Sequence, residues 1–164
     1  MNLFDLTGRT ALITGASKGI GFALAAALGQ AGARVVLNAR GADALGRAVD
    51  ALRAQGITAD AAAFDVTDAG AVDAGVAAIE ADIAPIDILV NNAGMQHRGP
   101  FAEFPTDAWH KITTTNIDSV FFVGRAVGHR PLTAAGPPYG QGAAPSQPRN
   151  LPGPRRHGDE DPRG

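Results

Sequence analysis

Cysteine is absent from the 164 residues, which excludes disulfides, thiolate metal ligands and thiol nucleophiles for this sequence. The four histidines are scattered, with no His-x-x-x-His pair to hold a zinc ion. Charge of neither sign prevails. The 14 Lys and Arg face 16 Asp and Glu, so the formal net charge of −2 gives no electrostatic case for a nucleic acid or an anionic membrane as partner. No apolar run reaches the ~18 residues of a membrane-spanning helix. Met1-Asn2-Leu3-Phe4-Asp5 lacks the basic-then-apolar order of a secretory signal. These absences lead to the expectation of a cytoplasmic protein.

A second deficit is local. Residues 131–164 contain no Val, Ile, Phe, Met or Trp, yet hold 8 of the 11 prolines. Gly, Pro, Ala and Arg supply 22 of those 34 residues. A segment with so little apolar surface cannot offset its ordering entropy, and it reads as a disordered tail. Residues 1–130 are the part expected to fold.

There, short apolar runs alternate with helix-period segments. Thr10–Ile13 reads as a buried strand ended by Gly15. Ile20, Leu24, Ala27, Leu28 and Ala31 fall on one helical face, closed by Gly32. Arg34–Asn38 is the second strand, and Leu45, Ala48, Val49 and Leu52 mark a second helix before Gly56. Ala61–Phe64 is a third strand. Val72, Val76, Ile79 and Ile83 mark a third helix with Asp68 as N-cap. Ile86–Val90 is the fourth strand, and Trp109, Ile112, Val120, Val123 and Val127 share the face of one last helix ending near Gly128. The alternation predicts right-handed crossovers and an α/β fold, a parallel sheet covered on both faces. Ligands of such sheets sit at the carboxyl ends of the strands.

At the first of those ends lies Thr14-Gly15-Ala16-Ser17-Lys18-Gly19-Ile20-Gly21. Glycines permit close backbone approach, and a helix N-terminus offers unpaired N–H groups to a diphosphate. An ordinary tight turn is the alternative. This loop resembles the cofactor loop of the short-chain dehydrogenase/reductase family. Asn91-Asn92-Ala93-Gly94 after strand four and Asp65-Val66 after strand three resemble two further signatures of that family. The stretch 91–127 is most similar to its gluconate 5-dehydrogenase branch, with 3-oxoacyl-thioester reductases as close relatives. The resemblance covers residues 5–128. It implies the N-terminal part of a Rossmann-like doubly wound sheet of strand order 3-2-1-4. Gly15, Ser17, Lys18, Gly19, Ile20, Gly21, Asp65, Val66, Asn92, Ala93 and Gly94 are then cofactor-binding positions. Asp65 and Val66 would meet the adenine, and Asn92 and Ala93 the ribose. Read as residues alone, Asp65 could instead cap a turn and Asn92 bridge two strands.

The end of strand two reads Asn38-Ala39-Arg40, with no acid to receive ribose hydroxyls. Arg40 offers a planar fork to a 2′-phosphate, and Lys18 adds a second cation. If these are more than solvated surface cations, the cofactor is NADP rather than NAD.

Asn116 lies on the apolar stripe of the last helix, where a buried amide must be hydrogen-bonded. It either satisfies nearby helix carbonyls or, as the resemblance implies, belongs to a catalytic Asn–Ser–Tyr–Lys set. The rest of that set is missing. The one tyrosine, Tyr139, is followed four residues later by Ala143, the two lysines are Lys18 and Lys111, and Ser146 sits in the Pro-rich tail. A reading-frame change near Gly128–Arg130 would produce such a tail; an evolved linker or a spliced tail is the alternative. The expected function is NADP-dependent interconversion of a small polar alcohol and ketone by descent, with no turnover by this chain. The alternative is a non-catalytic nucleotide-binding remnant. Homo-oligomers, implied by the resemblance, are doubtful here. An open edge on strand four predicts marginal stability.

Overall fold

The computed structural model describes residues 4–128. The expected tail, together with Tyr139 and Ser146, lies outside the described residues. Strands β1 (Thr10–Ile13), β2 (Arg34–Ala39), β3 (Ala59–Ala63) and β4 (Ile88–Val90) alternate with helices α1 (Gly19–Gln30), α2 (Ala42–Arg53) and α3 (Ala69–Asp82). Helices α4 (Thr106–Thr113) and α5 (Ser119–Gly128) follow. The sheet is parallel with the order β3-β2-β1-β4, as expected for a doubly wound fold.

Alternation along the central strands distributes the core between the two faces. Ala11, Ile13, Val35 and Leu37 pack with Ala25 of α1 and Leu45, Val49 and Leu52 of α2. Leu12 and Val36 pack on the opposite face with Val72, Val76 and Ile79 of α3 and Val123 of α5. Burying each of the Val, Leu and Ile side chains among these stabilises the fold by about 1.5–3 kcal/mol before entropy is counted. Asp68 caps α3 as expected, its Oδ1 accepting from the Ala71 N–H at 3.0 Å.

Three expectations are corrected. The sheet-facing side of α1 is Gly21 and Ala25, while Ile20 and Leu24 are exposed at 75% and 39%. Small residues are needed because α1 runs close to its neighbours: a Cβ on Gly29 would overlap Ile57. β3 begins at Ala59 rather than Ala61, because pairing with β2 starts at Val35↔Ala59. Phe64 therefore falls beyond the ladder, where it packs beneath Gly75.

The last helix is not continuous. A π-helical turn at Thr114–Asp118 separates α4 from α5 and shifts the register of the apolar stripe. Val123 is buried, but Trp109, Ile117 and Val120 are exposed at 55%, 63% and 41%. Among the described residues no helix is long and apolar enough to cross a membrane, and no group of His, Asp and Glu could hold a metal ion.

Candidate active site

The carboxyl ends of β1 and β4 are locked together by Thr14 and Asn92. Thr14 is buried, and its Oγ1 accepts from the backbone N–H groups of Asn92 and Ala93, each at 3.0 Å. Asn92 Nδ2 in turn donates to the carbonyls of Thr14 at 2.9 Å and Gly15 at 3.1 Å. Asn92 thus bridges the two strands, one of its two expected readings.

The lock requires glycine at two places. Gly15 has φ +65°, and a Cβ there would lie 2.8 Å from Ala93 Cα. A Cβ on Gly21 would overlap Asn92 Nδ2 and stand 2.6 Å from the Gly15 carbonyl oxygen. The loop therefore passes close over β4 and enters α1 with no side chain capping it and no acid in its first turn. Its first N–H groups and the positive end of its dipole remain available to an anion.

A cavity of about 660 Å³ opens above these strand ends. It is lined by Gly15, Ser17, Lys18 and Gly19 of the loop after β1, Arg40 after β2, Asp65 and Val66 after β3, and Asn92, Ala93 and Gly94 after β4. Ten of the expected cofactor positions thus surround one space. Ile20 and Gly21 do not line it: Ile20 is exposed on α1, and Gly21 is buried beneath the loop.

Asp65 caps a turn. Its Oδ1 accepts from the Thr67 N–H at 2.9 Å and the Thr67 hydroxyl at 2.7 Å. Its Oδ2 lies 3.8 Å from Arg40 Nη1. The Thr67 backbone hydrogen bond, with smaller help from the Thr67 hydroxyl and the Arg40 charge, holds the Asp65 carboxyl below the usual carboxylate range against partial burial. Asn38, buried at the end of β2, donates through Nδ2 to the carbonyls of Ala62 at 3.0 Å and Phe64 at 3.1 Å. It closes the gap between β2 and the chain leaving β3, which sets Arg40 and Asp65 on the same rim. The sequence reading missed Thr14 and Asn38 as site residues. The available signal was a polar side chain at the end of each of two otherwise apolar strands.

Asn116 differs from expectation. It is exposed, lying in the π-helical turn, and it serves the loop after β4 rather than helix carbonyls. Its Oδ1 accepts from the Met95 N–H at 2.8 Å and its Nδ2 donates to the Met95 carbonyl at 2.9 Å. A π turn rotates the following residues, so the stripe that pointed Asn116 inward in the sequence does not do so in the fold. Asn116 does not line the cavity, although its neighbour Thr115 does. His97 packs edge-on against Phe104 with ring centroids 5.2 Å apart, and Arg98 Nη2 donates to Gln96 Oε1 at 3.4 Å.

A glycine loop between β1 and an uncapped helix is thus locked to an Asn-Asn-Ala-Gly segment at the carboxyl ends of a doubly wound parallel sheet. The chain belongs to the short chain dehydrogenase family, whose model matches residues 9–133. Gluconate 5-dehydrogenase of Gluconobacter oxydans is 54% identical over 126 residues, spanning 77% of this chain and 49% of that protein. The 5-keto-D-gluconate 5-reductase of Escherichia coli is 48% identical over 126 residues, spanning 77% of this chain and 50% of that protein. A solved gluconate 5-dehydrogenase from Burkholderia cenocepacia, in complex with NADP and tartrate, superposes with a TM-score of 0.74 at 45% identity. That match covers 76% of this chain and 49% of the other. The chain spans about half the length of these relatives.

Proposed function

We propose that residues 4–128 are the cofactor-binding half of an NADP-dependent oxidoreductase that interconverts an alcohol and a ketone on a small polar substrate such as a sugar acid. The observation that carries this reading is the single cavity bringing together the glycine loop, Lys18, Arg40, Asp65 and Asn92. Its features fit a dinucleotide phosphate. The close approach at Gly15 and Gly21 leaves a groove a side chain would fill, and the uncapped α1 N-terminus suits a diphosphate. Lys18 and Arg40 supply two cations for a further phosphate, with no acid at the end of β2 to oppose them.

Bound there, the nicotinamide cofactor supplies a hydride donor or acceptor. The Thr14–Asn92 lock holds the loop rigid beneath the cofactor, so little ordering entropy is lost on binding. Asn116 positions the Met95 backbone at the end of the segment that leaves β4. Arg98, on the loop that follows, is the candidate partner for a substrate carboxylate. The likeness to proteins named for gluconate and 5-keto-D-gluconate supports that substrate class.

A second reading rests on chemistry. Hydride transfer to a carbonyl needs a proton donor working near neutral pH. The family supplies it from a Tyr-x-x-x-Lys pair, which these 164 residues lack. The chain alone would then bind NADPH without turning it over, with the phenol and lysine to come from elsewhere. Titration with NADPH, followed by a reduction assay with 5-keto-D-gluconate, separates the readings. Binding without turnover supports a nucleotide-holding module, turnover supports a proton donor other than that pair, and no binding overturns both. Arg40→Asp should shift preference from NADPH toward NADH; unchanged discrimination contradicts the role of Arg40.

A further inference from the structure

We propose that Asp65 determines nucleotide selectivity by competing with the 2′-phosphate of the ligand for Arg40. The inference rests on the cavity being the nucleotide site and adds a specificity residue to it.

Arg40 and Asp65 leave neighbouring strands, β2 and β3, and line the same cavity. Asp65 is not free to turn away. Oδ1 is held by both the N–H and the hydroxyl of Thr67, so Oδ2 faces Arg40 Nη1, 3.8 Å away. The buried amide of Asn38 fixes the distance between the two strands from below. The pair therefore stands on a carboxylate that is fixed in place.

The pair itself is loose. The Arg40 side chain is 79% exposed, and the contact is single and long. A guanidinium fork is best satisfied by two parallel hydrogen bonds to one oxyanion, which a phosphate provides and this geometry does not. A 2′-phosphate can thus displace Asp65, but it must first overcome the existing contact. A nucleotide without that phosphate leaves the Arg40–Asp65 pair in place and carries no such cost. Asp65 therefore narrows the preference that Arg40 creates.

The test uses the full 164-residue chain and calorimetric titration at fixed ionic strength with two probes, 2′,5′-ADP and 5′-AMP. Both carry the adenine and ribose, so any adenine contact of Asp65 cancels in the ratio of their affinities. Asp65→Asn keeps an oxygen for Thr67 and removes the charge. The ratio should rise about two- to fivefold, as befits an exposed ion pair. Asp65→Ser, whose hydroxyl can also accept from the Thr67 N–H, is the second variant and should move the ratio the same way. In an Arg40→Ala background neither change should alter the ratio. A ratio unchanged or lowered by both variants overturns the proposal. So does an equal rise without Arg40, which would assign the effect to the carboxylate field alone. If the unaltered chain binds neither probe, the nucleotide reading itself fails and this inference with it. Tight binding of both probes with an unmoved ratio removes only the competition.

Discussion

Thr14 Oγ1 and Asn92 hold each other in both directions: the hydroxyl accepts from the Asn92 N–H at 3.0 Å, and the Asn92 amide donates to the Thr14 carbonyl at 2.9 Å. The two residues end neighbouring parallel strands, paired through Ile13↔Val90. Replacing Thr14 by Val keeps the shape and removes the acceptor for two backbone N–H groups. The expected loss is about 2 kcal/mol or more in urea denaturation, together with weaker NADPH binding. Thr14→Ser should retain most of both. A Val variant as stable as the original would show that the lock contributes nothing.

Gly21→Ala tests the closeness of the loop. The new Cβ would overlap Asn92 Nδ2 and press on the Gly15 carbonyl, and neither group can yield without breaking the lock. NADPH affinity should fall by an order of magnitude or more. Gly46→Ala, on α2 and outside the cavity lining, is the control, because a Cβ there meets nothing within 4 Å. Equal affinities for the two variants would contradict the packing described.

The depressed pKa of Asp65 carries a pH signature. A carboxyl whose folded pKa lies below its unfolded value stabilises the fold above the unfolded value, and the contribution is lost as pH falls through the folded one. The stability gap between the original chain and Asp65→Asn should therefore be present at neutral pH and close in strong acid. Because Asp65 is more than a third exposed, the gap is small. A gap that widens on acidification would reverse the assigned sign.

Among the described residues β4 pairs only with β1, and Phe101, Trp109, Ile117 and Phe121 stand exposed at 97%, 55%, 63% and 61%. An unpaired strand edge and exposed apolar side chains each favour association. The isolated 164-residue chain should sediment as a concentration-dependent mixture and bind a hydrophobic dye. A monodisperse monomer with a cooperative melt would contradict this expectation.

The four strands and the glycine loop were legible from local signals, apolar runs buried on both faces and glycines between strand and helix, whereas the strand order and the positions of Asp65 and Asn92 around the cavity followed from the family resemblance. The face of α1 was not legible. Its residues 20–29 are nearly all apolar or glycine, so periodicity does not distinguish Leu24 from Ala25, and close packing chose the smaller side chain. The burial of Asn116 was misread because a π-helical turn breaks the 3.6-residue period without any proline or glycine to announce it. Thr14 and Asn38 escaped because their partners lie 76 or more and 24 or more residues away, and only the folded sheet brings them together.

The account stands on a dinucleotide seated over the carboxyl ends of β1, β2 and β4. Hydrogen–deuterium exchange of the full chain with and without saturating NADPH tests this most directly. Protection should appear in residues 14–21, 38–41, 64–67 and 91–95, and leave α2 and the amino ends of the strands unchanged. Protection centred on any other segment, or none at ligand concentrations that saturate a calorimetric titration, would contradict it.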